Sequence, residues 1–468
     1  MDVEVIVERL RDWLPGLRWY PYSSASDIVL VEHEVIDNIY FMKIRSHGET
    51  FYLPLALTNK KPSGEICGRY LEVNGKYLVE AEFTSSYIDV LSRAGFITAK
   101  QYTRIPMRVI KAYPLTLGTT NVLVVNEVIG GRIVVKSYRK LPRPNLEPLV
   151  IDALACTGFK YIPSVIALYS WGDDVVSIAM EYIVGEGDGG KPFYESFLNH
   201  LNGVSRPRLG LASLLGVEIA LFHKTISSIN NELFRPETID ERDIGYWVDR
   251  VSGMVKNALE NMDKLVDRYK WIDYWRSVAD KLMHNYLNEF IHDVEKYLGL
   301  KKIRTHQDLH LGQFIYSPSR GFIFTDFEGE PARSMEERLF KEPCTRDLAT
   351  LLRSFQYLTF TAYTQYVGGD TDSIGRRLLE NRDQFIGWRA LHEKAVIYSY
   401  LGELLDKIPD IIGVEKSSVG MFIKMLRPWV IEKAVYEIYY ESMYRPEMIP
   451  IPIVGLRYVD EELRLLSR

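Results

Sequence analysis

The sequence predicts an α+β chain of two unequal parts, a smaller β-rich half followed by a larger helical half. Three observations carry this. Short apolar runs separated by Gly-, Asn- and Pro-rich turns fill the chain to about residue 185. Apolar residues at helical spacing dominate beyond about residue 190. Between them lies the glycine-rich segment GEGDGGKP (185–192), which reads as a flexible joint.

Taken in order, the opening residues MDVEVIVERLRDWL mix acidic and apolar side chains and predict an amphipathic helix. They lack the basic start and apolar middle of a secretion signal. Strand-like runs follow at Asp27–Glu34, Tyr40–Arg45 and Tyr77–Phe83, punctuated by HGE, TNKKPSG and VNGK. Ser86–Ala94 reads as a short helix. Val122–Val128 and Arg132–Tyr138 flank Gly130-Gly131 and predict an antiparallel hairpin. Pro148 suits the first turn of a helix running to about Cys156, and Val175–Ile183 reads as a strand. Past the joint the expected helices are Gly210–Thr225, Ile244–Leu265, Trp271–Leu298, Ser334–Phe340, Arg346–Val367, Arg377–Lys407 and Pro428–Tyr444. Thr305–Asp326 interrupts them with a loop and a short strand pair.

Composition narrows the function. The 468 residues are 47% hydrophobic, enough for two or three cores, and the formal charge of −5 is close to neutral for this length. Such a balance disfavours a nucleic-acid binder that works by neutralising phosphates. Three widely spaced cysteines, Cys67, Cys156 and Cys344, form no CxxC pair, so neither a zinc site nor a disulfide framework is expected. With no apolar run expected to cross a bilayer, a cytoplasmic location is anticipated. Tyrosine is abundant at 30, whereas glutamine occurs six times, twice within a single segment, His306–Gln313.

That segment, HQDLHLGQ, carries the chemistry. Phosphoryl transfer to an alcohol needs a carboxylate to orient the hydroxyl and take its proton, metal to offset phosphate charge, and accurate placement. Catalytic loops of the HxDxxxxN type supply a base and, five residues on, an amide oxygen for metal. Asp308 and Gln313 have this spacing. Thirteen residues further, the run FIFT ends in Asp326-Phe327-Glu328, where the second metal carboxylate of a DFG-type motif belongs. Hard oxygen ligands of this kind suit Mg²⁺. HxD and DxE alone are common, but two in order within a loop between strands are not.

Other candidates have plainer alternatives. His306 is expected to be a hydrogen-bonding brace rather than a ligand, and His223 a brace on an apolar helix. His310, two residues past the base, is a candidate substrate contact. Lys136 and Glu147 are the best candidates for a phosphate-holding lysine and its acidic partner, although a solvent-facing strand lysine would look the same. Gly118-Thr119-Thr120-Asn121 sits where a phosphate-covering loop would, and no GxxxxGK[ST] occurs. Near the C-terminus, Lys433, Tyr436, Glu437, Tyr440, Glu441 and Tyr444 recur on one helical face. Aromatic rings with carboxylates suit a sugar site, while an ordinary solvated stripe with a Lys433–Glu437 pair is the alternative.

Together these segments resemble the maltokinases, relatives of the aminoglycoside phosphotransferases and of certain glucosamine kinases. The resemblance lies in HxDxHLGQ (His306–Gln313), DFEGEPAR (Asp326–Arg333), EER (Glu336–Arg338), RDxAxxLRSFxY (Arg346–Tyr357), EKAxYExxYExxxRP (Glu432–Pro446) and IPxxG (Ile451–Gly455). VVKSYRKL around Lys136, GDGG at Gly187–Gly190 and RWYPYS (Arg18–Ser23) extend it. It implies a two-lobed protein-kinase-like fold with an N-terminal cap subdomain over 1–104, a β-rich nucleotide-binding lobe over 105–187 and a helical lobe over 188–468. It also implies ATP- and Mg²⁺-dependent formation of maltose 1-phosphate. Asp308 is then the catalytic base, with Gln313 and Asp326 on Mg²⁺. Lys136, Glu147, Asn121 and Glu181 serve the nucleotide, and His310, Glu328, Arg333, Tyr436, Glu437, Tyr440 and Glu441 serve the acceptor. Two departures stand out: Gln307 replaces a glycine before the base and is expected to add a side chain near the acceptor, and Ser23 stands where the family has lysine.

A hexosamine such as glucosamine is the alternative acceptor, with Glu437 or Glu441 facing its ammonium. A nucleotide-binding pseudokinase is the alternative of another class, disfavoured because Asp308, Gln313, Asp326 and Lys136 are all present. The expected partners are ATP and a small sugar, with no nucleic acid, no membrane and a monomeric chain.

Overall fold

The strand runs of the first half form two antiparallel sheets in the computed structural model, which describes residues 1–66, 69–103, 108–204, 206–381, 384–415 and 418–467. The anticipated boundary at 104/105 and Cys67 lie outside these residues. The chain separates into two compact units, Met1–Ile183 and Val184–Arg468.

In the first unit, a five-stranded sheet runs in the order Val29–Ile36, Ile39–Ser46, Glu49–Thr58, Lys76–Glu80, Tyr70–Val73. The helix Val3–Trp13 contributes Ile6 and Leu10 to a core shared with Trp19, Tyr20, Met42, Ile44, Leu53 and Leu55. Much of RWYPYS is therefore packing. Trp19 also donates its indole N–H to Glu80 at 3.0 Å.

The second sheet has six strands, ordered Ile97–Gln101, Val165–Trp171, Asp174–Glu181, Gly131–Ser137, Val122–Val128, Val109–Thr116. The hairpin around Gly130 forms as the turn signal predicts, with Val128 opposite Gly131. Arg139, fully buried, ties the two sheets: it donates to Glu80 at 3.0 Å and Glu82 at 2.5 Å, and its own carbonyl accepts from Tyr52. Removing one member would strand a buried charge, which typically costs about 3–5 kcal/mol.

The second unit is mostly helical, and the sequence misjudges it in four places. First, the glycine-rich segment is no loose joint. Gly187-Asp188 pairs antiparallel with Ile315-Tyr316, and Asp188 accepts the N–H groups of Gly190 and Lys191 at 3.0 Å, opening an unanticipated helix, Lys191–Leu201. A Cβ at Gly185 would lie 2.5 Å from Ile315, and one at Gly189 2.8 Å from the Leu311 carbonyl. These glycines permit close approach rather than mobility.

Second, the run expected as one helix over Arg377–Lys407 is two, Thr371–Asn381 and Ile386–Leu404, with 382–383 outside the described residues. Third, the helix expected to begin at Pro428 begins at Val419, capped by Ser418, and runs through the proline to Tyr444. A last helix, Pro450–Ser467, follows. Fourth, Leu209–Ser227 is long and apolar enough to cross a membrane by composition, contrary to expectation. Here it buries Gly216 against the Val396 carbonyl, where a Cβ would come within 2.2 Å, and it carries Glu218 and His223 inward.

Glu218, 1% exposed, accepts from the Phe322 N–H at 2.9 Å and so supports the hairpin Phe314–Ser317/Gly321–Phe324. Gly321 is required here: its φ is +82°, and a Cβ would fall 2.0 Å from the Glu218 carboxylate. Burial pushes the Glu218 carboxyl up to about 8 from an ordinary 4.5, against the single N–H that favours ionisation. The folded state then holds a proton that the unfolded state has lost, so stability falls as pH rises from 4.5 to about 8 and levels off above. Melting temperatures at pH 5 and 8.5 should show Glu218→Gln losing part of this decline. An unchanged pH dependence in the variant would contradict the assignment.

Candidate functional site

In the first unit, Lys136 points from the strand Gly131–Ser137 with its ammonium 2.6 Å from Glu147, which opens the helix Leu146–Thr157. Both side chains are almost fully buried, so an unpaired lysine would be costly here. Asn121 is buried too, and its side-chain oxygen accepts the Arg139 N–H at 3.2 Å. Glu181 ends its strand and accepts from the N–H and hydroxyl of Ser164 at 3.2 and 2.8 Å.

In the second unit, the loop around Asp308 is held by a carboxylate the sequence reading did not single out. Asp347, fully buried in the first turns of the helix Cys344–Val367, accepts the backbone N–H of His306 at 2.7 Å and of Gln307 at 2.9 Å. His223 contacts it at 3.1 Å and is itself 2.8 Å from the Tyr400 hydroxyl. Burial would raise the Asp347 pKa, but His223 and the loop N–H groups outweigh it and the carboxylate stays low. The brace roles expected for His223 and His306 match this arrangement: His306 Nε2 lies 2.9 Å from the Thr325 carbonyl.

Gln307 has φ +69°, a left-handed conformation that costs a non-glycine residue about 1–2 kcal/mol. Its side chain, expected to extend beside the base toward an acceptor, takes another direction. It turns to the Phe340 carbonyl, donating at 2.6 Å, and is 1% exposed.

The hairpin brings Gln313 and Asp326 together. Phe314 pairs with Phe324, and the Gln313 carbonyl accepts both the N–H and the hydroxyl of Thr325, at 2.9 and 3.0 Å. Asp326 follows at φ +64°. A carboxylate oxygen of Asp326 and one of Glu328 lie within 4.8 Å of each other. Carboxylates this close, with a side-chain amide at the other end of the hairpin, offer the hard oxygens that suit Mg²⁺.

Asp308 is 7% exposed. One carboxylate oxygen is 3.2 Å from the Lys433 ammonium, and the other lies 3.4 Å from the Gln313 amide and 3.7 Å from His310. His310 accepts the Gly312 N–H at 3.0 Å through Nδ1.

Lys433 comes from the helix Val419–Tyr444 and also pairs with Glu330 at 2.6 Å. Burial would strip its proton, but Glu330 and then Asp308 raise its pKa instead. Glu330, fully buried, is held ionised by Arg333, Lys433 and Arg346. Arg333 pairs with Glu330 and Glu432. Arg250 joins Glu342 at 2.5 Å and Glu432 at 3.5 Å. Arg333 is thus an internal member of an ion network rather than an open contact.

Most of the stripe on this helix is not solvated. Lys433, Tyr436, Glu437 and Glu441 are buried, because every residue from Pro428 to Ile438 is covered, whatever face it lies on. Arg353 donates to Glu437 at 3.0 and 2.7 Å. Gly455 of IPxxG makes room for that guanidinium, since a Cβ there would fall 1.8 Å from it. Glu441 accepts from Tyr357 at 3.0 Å and from Arg445 at 2.9 and 2.6 Å, and burial still lifts its carboxyl to about 7. Tyr436 stacks toward Tyr440, with 6.1 Å between centroids, and lies under Lys433 at 4.6 Å.

Sequence reasoning missed Lys433 as a partner of Asp308, as well as Glu330 and Asp347. The signal was present in EKAxYE and RDxAxxLRSF, but spacing alone could not say which polar residues turn inward.

No family model matches the sequence. Among solved structures, the chain is similar to a glucosamine kinase in complex with glucosamine, ADP and inorganic phosphate. The TM-score is 0.67 at 16% identity, over 96% of this chain and 98% of that one. Two further crystal forms of glucosamine kinase match with TM-scores of 0.65 and 0.63 at 17% and 16% identity, over 97% and 96% of this chain and 99% and 97% of theirs. The chain therefore has the protein-kinase-like α+β fold seen in these phosphotransferases, with a sheet-rich N-terminal unit and a helical C-terminal one.

Proposed function

We propose that this protein is an ATP- and Mg²⁺-dependent sugar kinase that transfers the γ-phosphoryl group to a sugar hydroxyl. The observation that carries the reading is Asp308: a nearly buried carboxylate on a loop pinned by Asp347, flanked by the Gln313 amide and the Lys433 ammonium. Such a group can accept a hydroxyl proton while fixing the direction of attack. Gln313, Asp326 and Glu328 would hold Mg²⁺, which supplies charge neutralisation to the phosphates. Lys136, kept in place by Glu147, is the cation for the nucleotide phosphates, with Asn121 and Glu181 in the same nucleotide-binding set.

Lys433 stays charged and orients both Asp308 and the acceptor hydroxyl. His310, Tyr436, Glu437, Tyr440 and Glu441 form the acceptor side, while Arg333 acts through Glu330. The charge balance bears on the acceptor. The acids of the proposed acceptor side and the one paired with Lys433 are already engaged, Glu437 by Arg353, Glu441 by Arg445 and Glu330 by three cations. An incoming ammonium would compete with guanidinium groups, whereas a neutral sugar asks only for hydrogen bonds. Maltose, phosphorylated to maltose 1-phosphate, is therefore the first reading. Glucosamine is the second, favoured by the fold shared with glucosamine kinases.

A coupled ADP-release assay with ATP and Mg²⁺ over maltose, glucose, glucosamine and trehalose should show stimulation by maltose. Stimulation by glucosamine alone would select the second reading, and no stimulation by any sugar would end the kinase proposal. Asp308→Asn should lower kcat by about 10²–10⁴-fold while nucleotide binding is retained; full activity in this variant would remove Asp308 from the mechanism.

Lys433→Met should lower kcat/KM for the sugar about 10- to 100-fold, the range for loss of a charged hydrogen bond. KM for ATP should stay within about twofold, and Lys433→Arg should recover part of the loss. Equal losses for both substrates, or no recovery, would assign Lys433 to folding alone.

A further inference from the structure

We infer that Tyr444 forms an additional sugar subsite, so that the acceptors include linear glucans of three or more hexose units as well as a disaccharide. This rests on the sugar-kinase reading. Tyr436, Tyr440 and Tyr444 recur every four residues on one face of the helix Val419–Tyr444 and form a continuous ladder, with ring centroids 6.1 and then 4.8 Å apart. The ladder changes character along its length. Tyr436 is 5% exposed, Tyr440 is half-buried, and Tyr444 is 61% exposed.

At the inner end the ring is committed. Lys433 and Arg333 lie over Tyr436 at 4.6 and 5.4 Å, and its hydroxyl accepts the Ala332 N–H at 3.3 Å. In the middle, Arg445 lies over Tyr440 at 5.5 Å while its guanidinium is clamped by Glu441. At the outer end Tyr444 packs against Tyr440 with the ring planes tilted by 47°, yet keeps most of its surface open. Core packing does not account for a large aromatic ring that is held against a second ring yet lies mostly in water.

A ring held in this way offers the flat apolar face that the C–H face of a pyranose prefers. Its position, one helical turn further from Asp308 than Tyr440, adds about 6 Å along the helix axis, comparable to one further pyranose. The ring nearest Asp308 would receive the phosphoryl group, and rings beyond it would run outward over Tyr440 and Tyr444. A neutral chain suits the track, because Glu441 beside it is already neutralised by Arg445.

The test compares kcat/KM for maltotriose and maltose in the wild-type protein, Tyr444→Ala and Tyr444→Phe. The maltotriose-to-maltose ratio should fall about three- to tenfold in Tyr444→Ala, the scale of one aromatic stacking contact. It should be kept in Tyr444→Phe, which retains the ring and loses the hydroxyl. A merely structural role for Tyr444 would lower both substrates together and leave the ratio unchanged. Turnover of both glucans with a ratio indifferent to Tyr444→Ala overturns the subsite alone. If neither glucan is phosphorylated, the acceptor reading fails and the subsite with it.

Discussion

The Asp347 carboxylate is the constraint on which the rest of the candidate site depends. Its two oxygens accept the backbone N–H groups of His306 and Gln307, which fixes the direction in which the chain enters Asp308. A carboxylate with no solvent exposure is expensive unless every lone pair is used. Here His223 and the loop supply the donors, and the helix whose first turns carry Asp347 adds a favourable dipole. The left-handed turn at Gln307 follows from this anchoring. The N–H of that residue must face Asp347 while the next side chain faces the opposite way, and the Phe340 carbonyl offsets part of the strain by accepting from the Gln307 amide.

From this anchor, charge is organised outward through Lys433. It is the shared member of two systems, the Asp308 pair and the buried network of Glu330, Glu432, Glu342, Arg333, Arg346 and Arg250. Counting Asp308 and Lys433 with these six gives four acids and four cations, so the cluster is neutral as a whole and tolerates burial that no single member could. The arrangement also sets what Lys433 can do. With Glu330 on one side and Asp308 on the other, its ammonium stays charged although it is buried. A charged ammonium can donate hydrogen bonds but cannot accept a proton.

How much of this was legible in the sequence depends on whether a feature is local. The Asp308–Gln313–Asp326 spacing is local, because a four-residue hairpin returns the chain to its start, and the turn at Gly130-Gly131 is local in the same sense. Features set by distant packing were misread. The Pro428 ring suggests a helix start, yet the helix begins at Val419 and runs through it, with Phe422, Ile423 and Leu426 buried before the proline and residues 428–438 buried from it onward. The helix Pro450–Ser467 was not anticipated, because two prolines stand at its start, although proline is tolerated in the first turn, where N–H groups have no intrahelical partner. Gln307 was placed beside the acceptor because side-chain direction was inferred from sequence adjacency, and a positive φ reverses that inference.

The glycine-rich segment shows the same limit from the other side. Composition alone equates GEGDGG with flexibility, since glycine has the widest conformational freedom. Yet Gly187-Asp188 forms a third strand on the hairpin that connects Gln313 to Asp326, and Gly189 lies against the Leu311 carbonyl in the loop that follows Asp308. The two ends of that hairpin, Gln313 and Asp326, keep their spacing only while its strands stay in register. An added strand resists fraying of a four-residue pair that would be marginal alone. The glycines are there because a side chain would separate that strand from the loop, so the GDGG motif belongs to the stiffness of the site.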